Sequence, residues 1–123
     1  MVDYKQPKIL VADDEPMILR VINIILEQKG YTILTSVDSG EKAMDKIKED
    51  PHYDILMTDN NMPGMQGHEL IKHHKESPNR NGTKYIVMSG YLDERMTGLY
   101  LAHGAAIISK PFIADELVSI VEG

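Results

Sequence analysis

The 123-residue sequence contains no cysteine, which removes disulfides, zinc–thiolate centres and thiol nucleophiles from consideration. Long apolar runs are missing too. None approaches the roughly 20 residues that a membrane-spanning helix needs, and the first seven residues, Met1 to Pro7, lack the apolar stretch of a signal peptide. Blocks of lysine and arginine are absent, as are zinc-finger and RNP-like patterns, and the formal net charge is −6. Such a chain has little means of attracting a nucleic-acid backbone. The reading is a soluble, cytoplasmic protein with no direct nucleic-acid partner and no membrane insertion. An acidic balance does suit a divalent cation, provided that some carboxylates converge.

What is present is the material of one ordinary globular domain, 42% apolar and 26% charged, which argues against disorder or a fibre. A unit recurs along it: a short apolar run, a polar loop, then an amphipathic segment. Strands are predicted at 8–12, 31–36 (more polar, hence an edge), 55–58, 84–88 and 106–109. Helices are predicted at 16–29, 39–49 and 67–75, with a loop over 76–83. The first helix carries Ile18, Val21, Ile22, Ile25 and Leu26 at helical spacing, Asp14 as N-cap, Pro16 in its first turn and Gly30 as its stop. A fourth helix is marked by Leu92, Met96, Leu99 and Ala102, and a fifth by Ile113, Leu117 and Ile120. Five strands alternating with five helices predict an α/β sandwich around a parallel sheet.

Open parallel sheets bind ligands beyond the carboxyl ends of their strands. The residues at those ends are Asp13 and Asp14, Asp59, Ser89 and Lys110, each polar and each closing an apolar run. Three carboxylates brought together repel at neutral pH, so one takes up a proton or a cation joins them. An all-oxygen cluster suits Mg²⁺, and Lys110 adds a compact positive charge beside it. Carboxylate nucleophile, divalent metal, ammonium and hydroxyl are together the equipment for phosphoryl transfer to an aspartate. Taken singly, each residue reads as a helix cap, a turn or a surface lysine. The four in order along one edge carry the functional reading.

The segments Val11–Pro16, Asp54–Met65, Val87–Gly90 and Ser109–Phe112 resemble the signatures of two-component response-regulator receiver domains, and the resemblance covers residues 8 to 121. It implies a flavodoxin-like (βα)5 sandwich with strand order 2-1-3-4-5, a single receiver domain over 1–123 and an N-terminal tail over 1–7. It implies Asp59 as phosphoacceptor, and Mg²⁺ (or Mn²⁺) at Asp13, Asp14, Asp59 and the backbone carbonyl of Asn61. Ser89 and Lys110 would bind the phosphoryl oxygens, with Gly90 leaving the acyl phosphate accessible. The side chains of Asn61 and Tyr91 would tune its lifetime. The implied partners are a sensor histidine kinase or phosphotransfer protein and a downstream protein target. One position departs from the pattern: Ile107 stands where the family usually has Tyr or Phe, and a branched aliphatic has no hydroxyl to signal with and less area to expose. No output domain follows the last helix, so the chain reads as a stand-alone regulator.

The five histidines form no helical i, i+4 pair and are expected to be solvated or capping. The eight methionines are expected to fill core gaps. Tyr91, Leu92 and Tyr100 fall near the fourth helix, by the resemblance the partner-binding face, as isolated apolar residues. Three other functions share parts of this pattern. A flavodoxin-type cofactor binder needs a first loop that cradles phosphate, whereas Asp13-Asp14-Glu15 would repel one. An aspartyl-nucleophile hydrolase carries a second acid where Asn61 stands. A pseudo-receiver, a phosphorylation-independent interaction module, is the remaining alternative.

Overall fold

The computed structural model describes residues 6–78 and 82–123. Its elements are β1 (Lys8–Ala12), α1 (Pro16–Gln28), β2 (Ile33–Val37), α2 (Gly40–Glu49), β3 (Ile55–Asp59), α3 (Gly67–Lys75), β4 (Lys84–Ser89), α4 (Glu94–Ala102), β5 (Ala106–Ser109) and α5 (Ala114–Glu122). The strands form one parallel sheet in the order β2-β1-β3-β4-β5. The expected fold and strand order are therefore observed. Most of the tail and the tip of the loop expected over 76–83 lie outside the described residues.

Successive side chains on a strand point to opposite faces, and this period of two divides the core. On one face Leu10, Leu56, Tyr85 and Val87 pack with Ala43 and Ile47 of α2, Leu70 and Ile71 of α3, and Tyr100 of α4. On the other, Ile9, Val11, Met57, Ile86 and Met88 meet Ile22 and Leu26 of α1 and Leu117 and Val121 of α5. β3 is buried along its whole length. With the sheet covered on both sides, its carboxyl edge is where strand ends and their loops reach solvent together.

Local chemistry sets the boundaries and corrects several expectations. The N-cap of α1 is Glu15, not Asp14, because Asp13 Oδ1 accepts the Glu15 amide (2.8 Å) and closes the turn one residue later. β2 starts at Ile33, not Tyr31, because the Tyr31 amide is used on the Leu26 carbonyl in the turn that ends α1 (3.0 Å). Gly30 has φ 92° in that turn, a left-handed conformation that favours glycine. α2 starts as expected, with Ser39 Oγ accepting from the Lys42 amide (3.1 Å).

Three helix faces differ from the predicted ones. Val21 is exposed, while Leu19 joins Ile18 and Ile25 at the core margin. In α4 the expected Leu99 and Ala102 are exposed and Leu92 precedes the helix, which starts after Asp93 caps Met96; Tyr100 is the fully buried residue. In α5 Ile113 is the exposed cap residue, and Leu117, Val118 and Val121 face the core. Short helices with apolar residues on several sides offer more than one stripe of helical period, and the docking geometry selects among them.

Met17 lies exposed rather than in a core gap. His74 likewise departs from the solvated role expected of the histidines: it is wholly buried. Its Nε2 donates to the Pro51 carbonyl (2.8 Å), and in that tautomer Nδ1 accepts from the Tyr85 hydroxyl (2.7 Å). The imidazole thereby ties α3 to the loop before β3 and to β4. His74→Ala is expected to lower the unfolding free energy by about 2–4 kcal/mol in urea denaturation, through a cavity and the loss of two buried hydrogen bonds.

Candidate functional site

The parallel register places the chemistry. Asp59 is the last residue of β3 and pairs with Met88 of β4, so Ser89 lies one step further along the same edge. Asp13 follows β1, its amide donating to the Val37 carbonyl of β2 (3.1 Å). Lys110 follows β5, its amide donating to the Ser89 carbonyl (2.8 Å). The Lys110–Pro111 peptide is cis.

Segments 44 or more residues apart in the chain thus meet in one cluster. Lys110 Nζ lies 2.7 Å from Asp13 Oδ2, 3.2 Å from Glu15 Oε1 and 3.4 Å from Asp59 Oδ1. Carboxylate oxygens of Asp13, Asp14, Glu15 and Asp59 all lie within 4.8 Å of one another. Asp13 is fully buried and Asp59 is 6% exposed, while Asp14 and Glu15 stand at the solvent rim. Glu15 was missed as a member of the site. The acidic run Asp13-Asp14-Glu15 was the available signal, but only the turn into α1 brings Glu15 back toward Lys110.

The electrostatics follow from this crowding. Burial, and then the charge of Asp13, push the Asp59 carboxyl up to about 6, against the opposing pull of Lys110 and a hydrogen bond from the Asn61 amide. Burial pulls Lys110 down, but its hydrogen bond and attraction to Asp13, with those of Asp59 and Glu15, outweigh it and hold the ammonium above the ordinary lysine range. Four carboxylates against one ammonium leave an excess of negative charge over an all-oxygen donor set. Those residues fit a hard divalent cation such as Mg²⁺ or Mn²⁺.

The remaining candidates surround this cluster. Asn61, Ser89, Gly90 and Tyr91 line the same cleft as Asp14, Asp59 and Lys110. Ser89 Oγ donates to the Tyr91 carbonyl (2.8 Å) and accepts the Tyr91 amide (3.1 Å), so its hydroxyl is engaged with the loop after β4. A side chain built at Gly90 would meet nothing within 4 Å, and Tyr91 is 81% exposed. Ile107 is half-buried and packs on the core face that holds Tyr100. Two residues near the site were not anticipated. Asn60 lines the cleft, and the hydroxyl of Tyr100, expected on the surface, donates to Asn60 Oδ1 at 2.6 Å.

Residues 9–122 match the family described as the response regulator receiver domain. The chain belongs to that family. It is 27% identical over 94% of its length to a protein named as a probable chemotaxis protein CheY of Rhizobium etli, of which the match covers 89%. It is 35% identical over 93% of its length to the response regulator GtcR of Aneurinibacillus migulanus, but spans only 46% of that longer protein. Among solved structures, a CheY-like receiver domain protein of Methanospirillum hungatei superposes with a TM-score of 0.84 at 31% identity, over 96% of this chain and 92% of that one. The protein is therefore a receiver domain of the two-component response regulators, a family of phosphoacceptors with an acidic pocket. No helix among the described residues is long and apolar enough to cross a membrane.

The raised Asp59 carboxyl makes stability depend on pH. An unfolded aspartate ionises near 3.8, whereas folded Asp59 keeps its proton to about 6. Between those values the folded state binds the extra proton, so this group's penalty on folding grows as pH rises through the window and is complete above it. In metal-free protein, Asp59→Asn should therefore be more stable than the native sequence at pH 7, on the order of 1–2 kcal/mol after solvent screening. The gap should close toward pH 4, as thermal melts of both proteins across pH 4–8 would read directly.

Proposed function

We propose that Asp59 accepts a phosphoryl group from the phosphohistidine of a sensor histidine kinase or phosphotransfer protein, in a cytoplasmic two-component relay that changes a protein-binding surface. The observation that carries this is the single cluster in which Asp59 stands 3.4 Å from the Lys110 ammonium and within 4.8 Å of three further carboxylates. No other grouping of three or more acidic or histidine side chains at that spacing occurs among the described residues.

In the transfer a carboxylate oxygen of Asp59 forms a bond to phosphorus while the phosphorus–nitrogen bond of the donor breaks, and the imidazole leaves with the electron pair and takes a proton. Asp59 ionises above about 6, so it is largely available as a nucleophile at neutral pH. Mg²⁺ (or Mn²⁺) held by Asp13, Asp14, Asp59 and the Asn61 backbone carbonyl would neutralise charge on the acids and on the transferring group. Lys110, already held beside Asp59, would pair with a phosphoryl oxygen. Ser89 reaches another oxygen by exchanging its bond to the Tyr91 carbonyl. Gly90 leaves the product open to water, and the side chains of Asn61 and Tyr91 flank that approach. The chain is an acceptor that assists its own labelling and slow release, not a turnover enzyme.

Incubation with acetyl phosphate and Mg²⁺ should label the protein at Asp59, detected by mass spectrometry. Asp59→Asn should reduce incorporation more than about 100-fold, and excess chelator should stop it. Lys110→Ala should slow it roughly tenfold or more. Stable label on another residue, or undiminished rates in chelator, would refute the assignment.

A further inference from the structure

Tyr100 stands apart from the rest of α4. Its helix neighbours Leu99 and Leu101 are 36% and 59% exposed, whereas Tyr100 has no exposed surface. Its hydroxyl donates to Asn60 Oδ1 (2.6 Å) and accepts a hydrogen bond from the His68 backbone amide in the first turn of α3. The approach is possible because residue 67 is glycine: a Cβ there would lie 2.9 Å from the Tyr100 hydroxyl and 2.4 Å from the Asp59 carbonyl oxygen. One phenol therefore sits where β3, α3 and α4 converge, directly behind Asp59.

Asn60 is bound on three sides. Its amide donates to the Met88 carbonyl of β4 (3.1 Å), its carbonyl accepts from the Gly67 amide of α3 (3.1 Å), and its side chain holds Tyr100 of α4. At the other end, the Tyr100 carbonyl accepts from the Ala105 amide (3.0 Å) just before β5. A continuous bonded path thus runs from the residue next to Asp59, through a rigid ring, to the junction of α4 and β5. Ile107, two residues beyond Ala105, is half-buried on the same core face and has no polar group with which to join such a path. A buried charge-assisted or neutral hydrogen bond holds a ring in one position more firmly than dispersion alone.

We propose that Tyr100 is the positioning residue through which a change at Asp59 reaches α4, its hydroxyl following Asn60 and its ring carrying the shift to the α4–β5 surface. This rests on the reading of Asp59 as phosphoacceptor. A phosphoryl group added to Asp59 alters the packing and charge around the adjoining Asn60, and a close-packed interior passes such a displacement on rather than absorbing it.

The test uses Tyr100→Phe, which keeps the ring and removes the hydroxyl. Wild-type protein and variant are each treated with acetyl phosphate and Mg²⁺. Phosphate at Asp59 is quantified by mass spectrometry, and backbone amide shifts are recorded by NMR before and after. The expected result is incorporation within twofold of wild type, with local shifts at Ser89, Gly90 and Lys110 retained. The shift changes over 94–102 should fall at least threefold. Undiminished α4 changes in the variant overturn the proposal, as does a variant that no longer takes phosphate, since Tyr100 would then serve the chemistry itself. Wild-type protein provides a second measurement that no folding defect can spoil: the Asn60 side-chain amide and Tyr100 ring resonances should move together on phosphorylation. If both stay fixed while Asp59 is labelled, the path is refuted and the phosphoacceptor reading stands. If Asp59 takes no label, that reading fails first.

Discussion

The Lys110 ammonium is the cation about which the carboxyl edge of this molecule is organised. Asp13 has no exposed surface and Asp59 almost none, and two carboxylates so placed would repel each other out of the fold without a counter-charge between them. Lys110 reaches both, and Glu15 as well. The compensation is incomplete, and the high titration of Asp59 expresses the remainder. A site left short of positive charge is one that a divalent ion or a protonation event can act upon, and the same shortage that destabilises the resting molecule makes it responsive.

The sheet makes this concentration of charge possible. Parallel strands deliver all their carboxyl ends to one edge, and helices on both faces keep water from everything behind it. The polar groups beneath the edge are consequently bonded rather than solvated. His74 joins α3, β4 and the loop before β3, and Tyr100 joins α4 to the residue after Asp59. These two aromatic residues give the aliphatic core fixed points, where dispersion alone would permit sliding. Ser89, by contrast, spends its hydroxyl on its own loop.

Much of the architecture was legible in the order of residues. Strands are short apolar runs ended by polar groups, helices are announced by Ser39 and by Gly30, and both signals act over a few residues. The acidic cluster was legible for a related reason: topology alone sends every strand end to the same side. Helix faces were harder. Leu99 and Ala102 fit a helical stripe as well as Tyr100 and Met96 do, and only the angle at which α4 meets the sheet chooses. Asn60 carried no signal, because its importance lies in what its neighbours bring to it. Tyr100 could have been suspected from Gly67, a residue without a side chain at the start of a helix close to Asp59, but that contact joins residues 33 apart in the chain.

The sequence by itself determined the alternation of strands and helices, the burial of β3 on both faces and the identity of the groups at the strand ends, because each depends on local pattern and on the parallel topology it enforces. Tertiary structure alone decided that Glu15 rather than Asp14 caps α1 and shares Lys110, that His74 is core, and that Tyr100 turns inward to Asn60. Those outcomes depend on distances between segments remote in the chain, where a difference of an ångström separates a hydrogen bond from a clash, and no local preference encodes that distance.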